Sequence, residues 1–379
     1  MLISFASYTL LILNAVLFLK EKKSRYVAVV TLLLVVLFFA GMSVSEGDHV
    51  QYKYEFDTSR EGVGEDLFYT YFILFAKSIG ISEYGFFLGL LGMVELLLIY
   101  GGMKCFTTNA HPFLAISLPY IIPLMAVSVR FSLGVAVLVF ATRFLVKNQW
   151  LYYLIFLAIA SLCHSGLFFG IFYMLAFFFK KPSYNMMEKR AQSLIRLTSV
   201  MLIITFFLFL FGASGIFLYI LSLIPSSEFF LPRAAAYLET IGKFGPLLAI
   251  LIYLVLFRSM HSCFLWVCRH YERGYLSDED LRTAYVAFSI VAVSSIIVPF
   301  MMAGLIFLRY LILPTILVTF YLGRIADARN KGQNAVLSFR LNNPLKVLLF
   351  VSWLVPDILK IFDVSMGGVI KSAIQYLGF

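Results

Sequence analysis

The chain has 379 residues, of which 61% are hydrophobic and 13% charged, and its mean hydropathy is +0.93. These values exclude a soluble globular domain and imply a polytopic membrane protein, because many apolar runs are long enough to cross a bilayer. The formal charge of +10 sits in short gaps between those runs with no long basic stretch, so it reports topology and gives no footing for a nucleic-acid partner.

The first apolar run, near residues 2–19, has no Lys or Arg before it and is followed by Lys20, Lys22, Lys23 and Arg25. A cleaved signal peptide carries its charge in front and ends in a small-residue site, so this run reads as a retained span with its N-terminus outside. Further spans are expected near 26–42, 83–101, 112–128, 130–147, 149–163, 165–179, 197–216, 244–260, 284–300, 303–322 and 340–356. The count is about 12, with several spans shorter than the roughly 20 residues of an ideal one, so short or broken helices are expected. Most of the 30 Lys and Arg residues then fall in gaps on one side, which makes that side cytoplasmic. The whole of 1–379 reads as a single all-α membrane domain, with outer loops near 43–82 and 217–243 forming the functional face.

The outer stretch 43–66, SVSEGDHVQYKYEFDTSREGVGED, gathers Glu46, Asp48, Glu55, Asp57, Glu61, Glu65 and Asp66 among Tyr52, Tyr54 and Phe56. Carboxylates accept hydrogen bonds from hydroxyls, and aromatic faces cover the apolar faces of sugars, so this pattern suits a hydroxyl-rich ligand. The apolar segment 67–81 that follows is only about 15 residues long and contains Lys77, which marks an interfacial or re-entrant helix rather than a span.

The apolar stretch 113–141 is too long for one ordinary span and suffices for two short helices meeting near the outer surface, with Arg130 at their meeting point. An arginine there must be paired, hydrated or useful, since insertion scales place its cost at a helix centre near ~2.5–3.5 kcal/mol. His164 stands between two further short helices whose turn faces outward, and Arg309 near the outer start of another span. In the outer segment 217–243, Arg233 and Tyr237 stand four apart after Pro232, so both share one face of a helix that begins there. Guanidinium forks match phosphate oxygens in bidentate fashion, and the low dielectric near the membrane strengthens the match. Arg130, Arg233, Arg309 and His164 together therefore read as a diphosphate site facing the outer leaflet.

The order of these features resembles the EpsG branch of the Wzy-type O-antigen and exopolysaccharide polymerases. It runs from Gly47-Asp48 with Tyr52, through Glu65, Val129-Arg130-Phe131-Ser132-Leu133 and His164-Ser165, to Arg233 with Tyr237 and Arg309-Tyr310. It covers about 40–325, and Phe131, Ser132 and Gly134 stand where the family's usual form has a Gln and its followers. The resemblance implies a membrane glycosyltransferase of the bacterial cytoplasmic (inner) membrane, with a multi-spanning, GT-C-like fold of the O-antigen ligase and polymerase type. It implies transfer of a glycan chain from undecaprenyl diphosphate onto the next lipid-linked repeat unit, in the making of O-antigen, capsule or exopolysaccharide. It also implies a chain-length regulator and a flippase of the same pathway as partners.

In chemical terms, the arginines stabilise charge on a departing diphosphate, and the acceptor hydroxyl needs a base, for which Asp48, Glu65 and His164 are the candidates. Tyr52, Tyr54, Tyr237 and Tyr310 are the expected substrate-binding aromatics. A single displacement inverts the anomeric centre, and no activated-nucleophile signature is present. No cofactor or metal is expected: His261, Cys263, Cys268 and His270 have zinc-binding types but not the spacing of a structural zinc site. A lipid-linked oligosaccharide flippase or transporter, and an O-antigen ligase, remain as alternatives. The flippase would call for charges through the full membrane depth and an internal repeat.

Overall fold

The computed structural model describes residues 6, 7, 9–11, 13, 24–41, 48–58, 67–106, 122, 128–177, 183–210, 245–301, 309–318 and 321. Apolar residues surround most of these helices, so burial rather than amphipathic patterning selects the helical state, the one open-chain form that satisfies its own backbone in lipid. Among the described residues, five helices are long and apolar enough to cross a membrane: Tyr84–Met103, Val129–Val146, Tyr184–Leu208, Ile250–Glu272 and Asp278–Met301. The protein is thus an all-α, multi-pass membrane protein.

The described residues fall into two compact units, one reaching Ile171 and one from Phe172 to Tyr321. In the first, α1 (Ser24–Ala40) packs on α4 (Tyr84–Met103), α4 on α5 (Val129–Val146), and α5 on α6 (Trp150–Cys163). Two shorter helices, α2 (Asp48–Thr58) and α3 (Leu67–Ser78), accompany the start of α4. α5 and α6 form an antiparallel hairpin whose turn is a Schellman closure: the Gln149 N–H donates to the Phe144 carbonyl (2.7 Å) and the Asn148 N–H to that of Leu145 (3.1 Å). Asn148 adopts φ 61° at that turn, a conformation its short polar side chain tolerates. After α6 the chain breaks at His164, whose backbone is extended, and continues as a 3₁₀ helix over Ser165–Ala176. That form rises ~2.0 Å per residue, so a short segment covers more depth than an α-helix of the same length.

α4 and α5 run parallel, because Glu95 meets Ser132 and, seven residues on in both helices, Gly102 meets Val139. A Cβ on Gly102 would lie 2.7 Å from the Val139 carbonyl carbon, so this crossing is set by a glycine against backbone. α4 starts eleven residues before Glu95, whereas α5 starts three before Ser132. The first turn of α5 therefore lies about 12 Å along α4 from its start, at ~1.5 Å per residue. Arg130 stands on that sunken turn.

In the second unit, α7 (Tyr184–Leu210), α8 (Gly245–Glu272) and α9 (Asp278–Val293) pack together. α9 opens with a capping box in which the Ser277 and Asp280 side chains each satisfy the other's backbone N–H. It tightens to a 3₁₀ turn over Ser294–Ile297 before α10 (Val298–Met301), next to Pro299, which lacks the N–H a continuing helix needs. Carbonyls around the distortion gain side-chain partners: Thr198 and Tyr253 hydroxyls donate to Ala292 (3.2 and 3.3 Å), and Tyr253 also to Val291 (3.2 Å).

The expected spans at 83–101, 130–147 and 149–163 coincide with α4, α5 and α6 to within two residues. Two others are longer than apolar content suggested. α7 begins thirteen residues before 197, and α8 continues twelve past 260, because hydropathy reports the thickness of lipid whereas a helix can run on through charged residues. The stretch 43–66, read as a loop, contains α2, which is held by i,i+4 pairs: Lys53 to Asp57 at 2.6 Å and Gln51 to Glu55 at 3.2 Å. The expected span near 340–356 and the outer segment 217–243 lie outside the described residues, as do 112–128 apart from 122 and 128 and most of 2–19.

Candidate functional site

The site is built from the sunken first turn of α5 upward. Arg130 Nη1 lies 3.8 Å from Glu55 Oε1, and the guanidinium stands over the Tyr52 ring at 5.1 Å from its centroid. Tyr52 and Glu55 are one turn apart on α2, so a single helical face supplies both an aromatic surface and a carboxylate to the same cation. The Arg130 and Glu55 side chains are 18% and 27% exposed, which leaves the pair within reach of a ligand but largely shielded from water.

An aromatic cluster fixes α2 in place. Phe56, one residue beyond Glu55, is 1% exposed and packs on Phe87 (5.0 Å) and Tyr84 (5.7 Å) of α4. Tyr52 meets Tyr69 of α3 at 6.1 Å, Tyr69 meets Phe87 at 5.9 Å, and Lys77 of α3 stands over Phe56 at 5.0 Å. The Tyr69 hydroxyl is buried and finds no hydrogen-bond partner among the described residues. Burial, then Tyr84, Tyr52 and Glu55, push its phenol well above the ordinary range, with Arg130 pulling the other way. The group therefore stays a neutral donor beside the Arg130–Glu55 pair.

His164 lies at the same end of the α5–α6 hairpin, in edge-to-face contact with Phe131 at 5.2 Å. Its Nδ1 accepts the Gly166 N–H at 3.2 Å, which in the neutral ring leaves the proton on Nε2. Gly134 permits this closure, since a Cβ there would lie 2.9 Å from the Ala160 carbonyl oxygen and 3.2 Å from Cys163 Cβ. The structure thus brings Arg130, Tyr52 and His164 to one end of the first unit. Tyr54 is on the other side of α2, 63% exposed. Asp48 is the first residue of α2. In the second unit Arg309 and Tyr310 open the short helix Arg309–Val318. Glu65, Arg233 and Tyr237 lie outside the described residues.

Beneath Arg130, Ser132 donates to Glu95 Oε1 at 2.6 Å and to the Val129 carbonyl at 2.9 Å. Glu95 is fully buried, and its Oε2 has no hydrogen-bond partner among the described residues. The residues with zinc-binding types lie along α8 in other contacts: His261 stacks on Phe257 (5.9 Å), His270 Nδ1 meets the Trp266 carbonyl (2.8 Å), and Cys263 and Cys268 are buried. Among the described residues no three His, Cys, Asp or Glu side chains converge on a point that could hold a metal ion.

A family model described as EpsG family matches residues 25–357, nearly the whole chain. The chain belongs to the EpsG family. A search of the curated proteins and a search of the solved structures each found no match. Membership of the EpsG family points to a polymerase-type role in exopolysaccharide or O-antigen synthesis. In this EpsG protein, Tyr69 and Glu95 stand beside the candidate site and were not named in the sequence reading, which named Glu55 and Ser132 but not as candidate site residues. A helical reading of 48–58 would have shown Glu55 one turn from Tyr52, and Glu95 is the lone charge in the apolar run 84–103.

Proposed function

We propose that this EpsG-family protein is a membrane glycosyltransferase of the Wzy type, with a GT-C-like fold, that extends lipid-linked glycans at the outer face of the bacterial cytoplasmic membrane. The donor is a glycan chain on undecaprenyl diphosphate and the acceptor is the next lipid-linked repeat unit. The observation that carries this reading is Arg130, a cation on a helix start that lies part-way down α4, flanked by Tyr52 and Glu55. Such a cation can bind a diphosphate drawn to membrane depth, while the aromatic and acidic face of α2 suits a sugar and its hydroxyls. Arg233 and Arg309 are the further diphosphate ligands of this reading, and Tyr54, Tyr237 and Tyr310 its further sugar contacts. Charge building on the departing diphosphate is stabilised by positioned guanidinium donors, which needs no metal ion. A single displacement gives an inverted linkage. A flippase that delivers repeat units and a chain-length regulator are the partners this role requires.

The test supplies purified full-length protein in liposomes with lipid-linked repeat units isolated from the producing cell. The expected product is a ladder of longer lipid-linked chains, lost in Arg130→Ala while the protein remains folded. Absence of a ladder from the wild type, with lipid-linked units moving across the vesicle instead, would replace this reading with a flippase.

A further inference from the structure

Of the seven acids of the stretch 43–66, two have described side chains: Asp57 pairs with Lys53, and Glu55, which the candidate bases did not include, faces Arg130. Among the described residues, Glu55 Oε1 lies 3.8 Å from the Arg130 guanidinium and accepts from the Gln51 side-chain amide at 3.2 Å. The side chain is 27% exposed, which leaves the carboxylate within reach of a further donor. The carboxylate stands against the cation that a diphosphate would occupy, and the Tyr52 ring borders the same guanidinium.

We propose that Glu55 is the acceptor-side carboxylate of the transfer reaction: it neutralises Arg130 in the empty site, yields that cation to the donor diphosphate, and then receives the acceptor's hydroxyl proton. This rests on the polymerase reading above. Two anions compete for one guanidinium, so the arriving diphosphate releases Glu55 beside the donor, where the sugar hydroxyl of the next repeat unit must come. The hydroxyl oxygen forms its bond to the anomeric carbon as its proton passes to Glu55. The bond from that carbon to the diphosphate oxygen breaks, and its electron pair leaves with undecaprenyl diphosphate, whose charge Arg130 holds. The protonated Glu55 then returns its proton to water, and the next donor finds the carboxylate restored.

Competition and proton acceptance give opposite signatures in one variant. Glu55→Gln keeps the shape and the Gln51 contact but carries no charge and accepts no proton. Binding of undecaprenyl diphosphate to the full chain in nanodiscs should tighten about two- to fivefold in Glu55→Gln, the worth of a partly exposed ion pair. Chain extension at saturating donor should fall by about a hundredfold or more, with Glu55→Asp recovering part of the rate. Arg130→Ala should lose both binding and extension. Weaker binding of undecaprenyl diphosphate by Glu55→Gln, or chain extension by it at the wild-type rate, would overturn the proposal while leaving the Arg130 site standing. Normal extension by Arg130→Ala would remove the site and the proposal together.

Discussion

Arg130 and Glu95 pose one physical problem, a charge-bearing side chain inside an apolar run, and the fold meets it differently in each case. Arg130 is given an aromatic face and a carboxylate and stays accessible, whereas Glu95 is sealed from solvent with a serine hydroxyl as its bond. The logic that draws attention to Arg130 applies equally to Glu95, since both are lone charges legible in the sequence. The pairing of Glu95 with Ser132 was not legible, because it depends on the parallel register of α4 and α5. Ser132→Ala should remove the described bond of a buried carboxyl and lower stability by about 1–3 kcal/mol, read as a drop in thermal unfolding temperature in detergent. Glu95→Gln, whose amide carbonyl can still accept from Ser132, should unfold close to the wild type. A Ser132→Ala protein as stable as its parent would show that the bond contributes nothing.

At the scale of elements, the helices with long apolar runs were legible because burial in lipid and helix formation select the same residues. α2 was not. It is short and polar in composition, and its helical state rests on i,i+4 pairs and on the docking of Phe56 and Tyr52 against α3 and α4. Candidate site residues divided on the same line: Arg130 and His164 sit at the ends of α5 and α6, which the sequence placed well, whereas Tyr52 and Glu55 come onto one face only with the α2 helix. Replacing Tyr52 with Ala removes the ring over Arg130 and should weaken undecaprenyl diphosphate binding about two- to thirtyfold, the range of a cation–π contact of ~0.5–2 kcal/mol. Tyr52→Phe, which keeps the ring, should bind as the wild type does; equal losses in both variants would assign the effect to the hydroxyl. The α4–α5 crossing has its own test. Gly102→Ala places a methyl against the Val139 backbone and should cost about 1–3 kcal/mol, with a lower unfolding temperature and reduced chain extension, since the turn that carries Arg130 shifts with α5.

For the whole molecule, the distribution of charge and the position of the candidate site make one claim about sidedness. The turn after α5 follows Arg143 and Lys147, and the turn after α8 follows Arg269 and carries Arg273; the proposed function takes both turns as cytoplasmic, as the positive-inside bias expects. α2 then belongs to the opposite side, where donor and acceptor glycans are presented in the proposed reaction. Single cysteines in place of Lys53, Gln149 and Tyr275 report this directly, because all three positions are exposed. They should be placed in a chain whose native Cys105, Cys163, Cys263 and Cys268 have been replaced by serine or alanine. A membrane-impermeant maleimide added to intact spheroplasts should label Lys53→Cys at once. It should label Gln149→Cys and Tyr275→Cys only after permeabilisation. The reverse pattern would put Arg130, Tyr52 and Glu55 on the cytoplasmic side, where a chain-extending transferase would meet its lipid-linked donor before flipping, and the outer-face assignment would fall. Labelling of Gln149→Cys and Tyr275→Cys from opposite sides would instead change the number of crossings between α6 and α8, a stretch that takes in 211–244, with Arg233 and Tyr237.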